Sequence, residues 1–204
     1  MPNRRTFLVL TAASLLPAAG RLAPALAQPV DGRASAFVRN IGDKLVAVVN
    51  EPGSDRDKRT SLTAIIDGAV DVDGVARFSL GRFWRNASAG QQQRYTELFH
   101  QVLLNYIAAK LGDYRGVRFT LGRVQQRDDN AVVSTVVVRP NNPPTNVDWI
   151  VSNSANDPKI IDVIAEGTSL RLTQRQDYAS YLSHNNNSVA ALIDAMRQQV
   201  APAG

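Results

Sequence analysis

Two hydrophobic rhythms divide the chain. Up to about residue 111 the apolar positions recur every three or four residues, the period of a helix with one buried stripe. Ala34 to Val49 carries Phe37, Ile41, Leu45, Val48 and Val49 in this way, and the run stops at Asn50-Glu-Pro-Gly53. Leu62, Ile65, Ile66 and Ala69 form the stripe of a second helix, and a short helical piece through Val75–Leu80 follows Asp73-Gly74. In a third, Tyr95, Leu98, Phe99, Val102, Leu103, Tyr106 and Ile107 repeat at helical spacing behind Ser88-Ala-Gly-Gln91, a capping box. Gly112 ends that helix.

From Gly116 the period becomes two, as expected for strands. Val117, Phe119 and Leu121 alternate with Arg118 and Thr120. Ala131 to Val138 is almost wholly apolar and β-branched; Val147, Trp149 and Val151 alternate again; Lys159 to Ala165 is a fourth strand. The links at Asp128-Asp-Asn130, Asn141-Asn-Pro-Pro144 and Asn153–Pro158 are short and rich in turn formers. Short links predict an antiparallel meander, not crossovers. Two helices close the chain, one from about Leu172 to Ser183 and one from Ser188 with Val189, Leu192, Ile193 and Met196. The expected class is α+β: a four-stranded twisted antiparallel sheet packed by N-terminal and C-terminal helices. Val132, Val136 and Val138 fall on one side of the second strand, and Val133 and Val137 on the other. Both faces must therefore meet apolar matter, either helices on each or a cavity on one.

The first 27 residues stand apart. Arg4 and Arg5 precede the apolar run Phe7–Leu16, and Ala25-Leu26-Ala27 has the form of a cleavage site. This predicts an export signal at 1–27, by the secretory or twin-arginine route, and a soluble periplasmic protein of residues 28–204. The signal also carries the charge imbalance. The chain has 23 Lys and Arg against 18 Asp and Glu, and three arginines but no acid lie within 1–27. The remainder is nearly neutral, which argues against a nucleic-acid partner.

Candidate chemistry is sparse. With no cysteine and only His100 and His184, thiolate catalysis and histidine-rich metal sites are excluded, and no metal or cofactor is expected. Gly167-Thr-Ser169-Leu-Arg171 lacks the second glycine of a nucleophile elbow. Asp71-Val-Asp73-Gly74 lacks the rest of a calcium loop and suits a helix cap better. Asp148 and Asp162 on neighbouring strands, with His100, are the only candidates for an acid–base enzyme. Alternation already accounts for the two aspartates as outward residues. What remains is aromatic and aliphatic, with Tyr95 and Tyr181 among it: an ordinary core, or the lining of an apolar carrier.

A series of local words is more specific. Asp73-Gly-Val-Ala-Arg-Phe-Ser-Leu-Gly-Arg-Phe-Trp84, Gln91-Gln-Gln-Arg-Tyr95, Phe99 and Leu111-Gly-Asp-Tyr-Arg-Gly116 are followed by Val147-Asp-Trp-Ile-Val151. Lys159-Ile-Ile-Asp-Val163, Glu166-Gly-Thr-Ser-Leu170 and Thr173-Gln-Arg-Gln-Asp-Tyr178 complete it. In this order they resemble the MlaC family, periplasmic phospholipid-binding components of the Mla lipid-transport system. The resemblance implies a non-enzymatic shuttle, with the acyl chains of the cargo buried in an apolar cavity. Its implied partners are an outer-membrane lipoprotein complex and an inner-membrane ABC transporter with a periplasmic lipid-binding subunit, with the carrier acting as a monomer. The lining residues expected on this reading are Phe78, Leu80, Phe83, Trp84, Phe99, Leu103, Tyr106 and Tyr178 from the helices. From the strands they are Val133, Val137, Val147, Trp149, Val151, Ile161 and Val163. Arg82-Phe-Trp-Arg85 and Thr173-Gln-Arg175 also resemble a related branch associated with hopanoid lipids, which leaves a polycyclic cargo as the alternative.

Overall fold

The computed structural model describes residues 30–152 and 157–201. The expected export signal, and most of the turn after Ser152, lie outside the described residues. Helix α1 (Val30–Asn50) and α2 (Asp55–Ala69) lead, followed by α3 (Val72–Leu80), a 3₁₀ turn over Gly81–Asn86, and α4 (Ala89–Lys110). Strands β1 (Arg118–Arg127), β2 (Asn130–Val138), β3 (Thr145–Ser152), β4 (Ile160–Ala165) and β5 (Thr168–Ser169) come next. Helices α5 (Leu170–His184) and α6 (Val189–Val200) close the fold. None of the described helices is long and apolar enough to cross a membrane.

Local chemistry sets these boundaries. The predicted capping box opens α4: Ser88 Oγ accepts from the Gln91 amide at 3.3 Å, and Gln91 Oε1 accepts from the Ser88 amide at 2.9 Å. Ser54 and Asp57 build a second box at α2. Asp71 caps α3 by accepting from the Gly74 amide at 2.9 Å, so its carboxylate is occupied by a helix end.

The sheet is the expected antiparallel meander in the order β1-β2-β3-β4-β5, but it has five strands where the sequence pattern predicted four. The fifth is the Thr168–Ser169 segment. It turns back on β4 through Glu166 and Gly167, both at positive φ, and pairs with Ile164 and Ala165. Two residues are too few to display a period, which is why alternation missed it. A register shift between Leu121 and Val124 keeps Phe119, Leu121 and Val124 on one face of β1 despite their uneven spacing.

Register assigns that face further. Val133 pairs with Trp149 and Trp149 with Val163; Thr135 pairs with Val147, Ala131 with Val151, and Val137 with Phe119. Directly paired residues share a face, so these side chains form one surface. It closes on α1, where Ala34 and Val38 join Ala131, Val133 and Val151 in one buried cluster. Close approach is possible because Gly42 faces Phe119; a Cβ there would stand 2.2 Å from the ring. On the other face Val132, Ile150 and Asp162 are also buried. The continuously apolar β2 thus reflects cover on both sides.

A second core lies among the helices. Ala76, Leu80, Phe83, Tyr95, Leu98, Phe99, Tyr178, Leu182 and the stripe of α6 make it. Tyr95 stacks against Phe99, Tyr178 and Trp84 at centroid distances of 6.0 to 6.4 Å. Its hydroxyl donates to the Ala76 carbonyl at 3.0 Å, whereas the buried Tyr178 hydroxyl has no partner among the described residues. The two therefore predict opposite results. Tyr95→Phe should cost about 1 kcal/mol of unfolding free energy, and Tyr178→Phe should cost nothing or stabilise. Burial holds both phenols well above the usual tyrosine range, with the Asp177 charge adding to the effect on Tyr178. Above pH about 10 the unfolded chain ionises these groups and the folded one does not, so stability falls as pH rises. Denaturant titrations at pH 8 and pH 11 should show a smaller loss in the double Phe variant than in the wild type.

Candidate functional site

The sequence-predicted lining residues separate into two sets. Val133, Val137, Val147, Trp149, Val151 and Val163 share the sheet face that meets α1, while Ile161 is the extra residue of a bulge in β4. Leu80, Phe83, Phe99 and Tyr178 belong to the core among α3, α4, α5 and α6, with Trp84 and Leu103 packed against it. Phe78 is half-buried beneath two arginines. Tyr106, expected inside, is 65% exposed. The C-terminal half of α4 leaves the helical core and packs on α2, burying Leu104 with Leu62 and Ile66. The stripe rotates with that change of neighbour and carries Tyr106 outward.

Among the described residues the enclosed apolar cavity expected from the sequence is not shown. The sheet face shuts directly on α1, with Val133 at 0% and Val38 and Val151 at 1% exposure. A concavity of about 940 Å³ between α2, α3 and α4 is bordered by charge instead, with Asp67, Asp71, Asp73, Arg77, Glu97 and His100 around Val70, Val72 and Trp84.

A different feature links the apolar regions. Among the described residues the buried apolar side chains form four clusters, each joined to the next by a pair of half-buried side chains. Phe37 and Trp149 bridge the α1–sheet cluster to the one centred on Ile41, Ile65 and Ile160. Leu45 and Val70 bridge that to Leu62, Ile66 and Leu104. Val72 and Leu103 bridge onward to the helical core. The result is an unbroken apolar seam from the sheet face, between α1 and α2, to α4. Trp149, Leu103 and, through its packing against Trp149's neighbours, Val163 were in the expected lining; Phe37, Leu45, Val70 and Val72 were not. Phe37 and Leu45 were visible only as members of a helical stripe, and periodicity does not distinguish full from partial burial.

Of the acid–base candidates, Asp148 and Asp162 share the sheet face away from α1, two residues out of direct register across β3 and β4, but among the described residues no hydrogen bond or ion pair joins them to each other or to His100. His100 lies on α4 and hydrogen-bonds Asp67 of α2 at 2.7 Å. Asp148 faces away from α1, opposite Ser134. Asp162 is buried and fully engaged. Its Oδ2 accepts from Ser169 Oγ at 2.6 Å and lies 3.4 Å from Arg171 Nε; its Oδ1 accepts from the amides of Val163 and Arg171 at 2.8 and 3.1 Å. This carboxylate joins β4, β5 and the start of α5, a structural task that leaves no lone pair aimed at a substrate.

A protein-family model described as MlaC protein matches residues 39–198. The toluene tolerance protein of Pseudomonas putida is 26% identical over 145 residues, which cover 70% of this chain and 67% of that protein. A phospholipid-binding protein from Ralstonia solanacearum, solved in complex with a phospholipid, superposes with a TM-score of 0.69 at 23% identity. The match covers 82% of this chain and 96% of that one. The fold is thus shared with that protein, and because the family match runs through both the helical half and the sheet, this chain belongs to the MlaC family.

Proposed function

We propose that this protein is a periplasmic phospholipid carrier, holding acyl chains along the apolar seam and ferrying them between membranes. The observation that carries the reading is the seam itself: half-buried apolar pairs joining every cluster between the sheet face and α4. On this reading the protein opens between α1–α2 and the sheet, along a line where the side chains that join the clusters are already partly exposed. Family membership and the phospholipid held by the Ralstonia solanacearum protein support the cargo class.

The energetics suit a shuttle. Each methylene withdrawn from water is worth about 0.8 kcal/mol, so two acyl chains supply a large gross driving force without covalent chemistry. Opening the seam offsets part of it. Unassisted release would expose the chains again, so unloading requires a partner that favours the open form. An outer-membrane lipoprotein complex and an inner-membrane ABC transporter are the proposed donor and acceptor, and residues 1–27 would direct export to the space between them.

Organic extraction of the purified protein followed by mass spectrometry tests the reading. Phospholipid at close to one molecule per chain is the expected result. Protein free of lipid that also takes none from labelled vesicles would overturn it, and a polycyclic lipid in its place would redirect the cargo to the alternative class.

A further inference from the structure

Two sequence words, Arg82-Phe-Trp-Arg85 and Thr173-Gln-Arg175, are about 90 residues apart, yet the fold sets them side by side. Between them lies a concavity of about 510 Å³ walled by Arg77, Arg82, Arg85 and Arg175. The guanidinium groups are held against rings: Arg77 over Trp84 at 5.2 Å, Arg82 over Phe83 at 4.9 Å and Arg175 over Phe78 at 5.0 Å. Arg171 covers Phe78 as well, at 4.5 Å, but its charge is met by Asp162. Among the described residues, none of the four wall arginines has a carboxylate within 4.0 Å or a protein hydrogen-bond acceptor. Stacking on a ring fixes the plane of a guanidinium and leaves its N–H edge free.

Gly81 sharpens the arrangement. It ends α3 at φ 58°, and a Cβ there would lie 3.1 Å from Arg175 Nε and 3.3 Å from its Cζ. The bare glycine therefore gives Arg175 its place beside the Arg77–Arg82 wall. Like charges gathered without a counterion repel one another, and an anion with several acceptor oxygens relieves that repulsion.

We propose that Arg77, Arg82 and Arg175, with Arg85 at the rim, bind a phosphate group. A lipid headgroup or free phosphate could present it. The headgroup source rests on the carrier reading above; the phosphate chemistry does not.

Calorimetric titration of the purified full chain tests this, using two probes: inorganic phosphate, and a short-chain phosphatidic acid kept below its micelle concentration. Arg82→Gln/Arg175→Gln should bind at least tenfold more weakly than wild type, and Arg82→Lys/Arg175→Lys should fall between, since charge survives but the planar fork is lost. Arg77, Arg82 and Arg175 are solvent-exposed, and near-ultraviolet circular dichroism verifies that the variants keep the wild-type fold; Arg77→Gln serves as the second variant should either double change disturb it. Arginine-dependent binding of both probes, or of phosphate alone, supports the site with free phosphate as a sufficient ligand; arginine-dependent binding of the lipid alone assigns it to the headgroup. Failure of both probes to bind, or equal affinity in wild type and the Gln variants, overturns it. Mass spectrometry of extracted acyl chains on the same samples separates this outcome from failure of the carrier reading.

Discussion

Val133→Asp will lower the thermal midpoint by about 8 °C or more. Val133 is at 0% exposure, between its cross-strand partners Val124 and Trp149 and clustered with Ala131 and Val151 on the sheet and Ala34 and Val38 on α1. Each of those neighbours is apolar. An aspartate there must either ionise without a partner or stay protonated with unmet hydrogen bonds, and either course costs about 4 kcal/mol or more. For a domain of this size each kcal/mol moves the midpoint by about 2–4 °C. Thermal unfolding followed by circular dichroism reads the effect. A midpoint within about 3 °C of wild type would mean that water already reaches Val133, so that the sheet face is not closed on α1.

The same position shows how far the sequence could be read. The capping box at Ser88, the helical stripes and the turn-rich links between strands are local signals, written within a few residues, and the structure follows them. Strand parity was legible too: Val133, Val137, Val147, Trp149 and Val151 do share a face. What covers that face was not, because alternation records that a side chain meets apolar matter and not whether the matter is α1 or a hollow. Tyr106 failed for a related reason. Its spacing matched the stripe of α4, but α4 changes partners along its length, from α6 to α2, and no local pattern encodes a partner. Phe78 looked like lining because it is aromatic; the arginines over it come from α5, about 95 residues later in the chain. The site residues least visible in the sequence are those whose role depends on partial burial, since Leu45 and Ile41 belong to one stripe yet only Ile41 is buried.

That difference in exposure separates folding from loading, and it sets the second large effect: Leu45→Glu should reduce phospholipid loading at least tenfold while leaving the protein folded. Leu45 bridges two apolar clusters but remains half-buried, so a glutamate placed there can turn its carboxylate to water in the empty protein. Acyl chains laid along the seam would cover that route. The charge would then be desolvated without a partner, a penalty confined to the loaded state and larger than the roughly 1.4 kcal/mol that a tenfold change represents. Tyr106→Glu supplies the comparison, since its side chain already faces solvent on α4 and lies off the seam. Lipid recovered per chain after incubation with vesicles gives the measurement, with the thermal midpoint of each variant beside it. Wild-type loading by a folded Leu45→Glu protein, or equal losses in both variants, would remove the seam as the acyl path. Loss in Leu45→Glu alone would locate the chains along the seam that Leu45 bridges, between α1–α2 and the sheet.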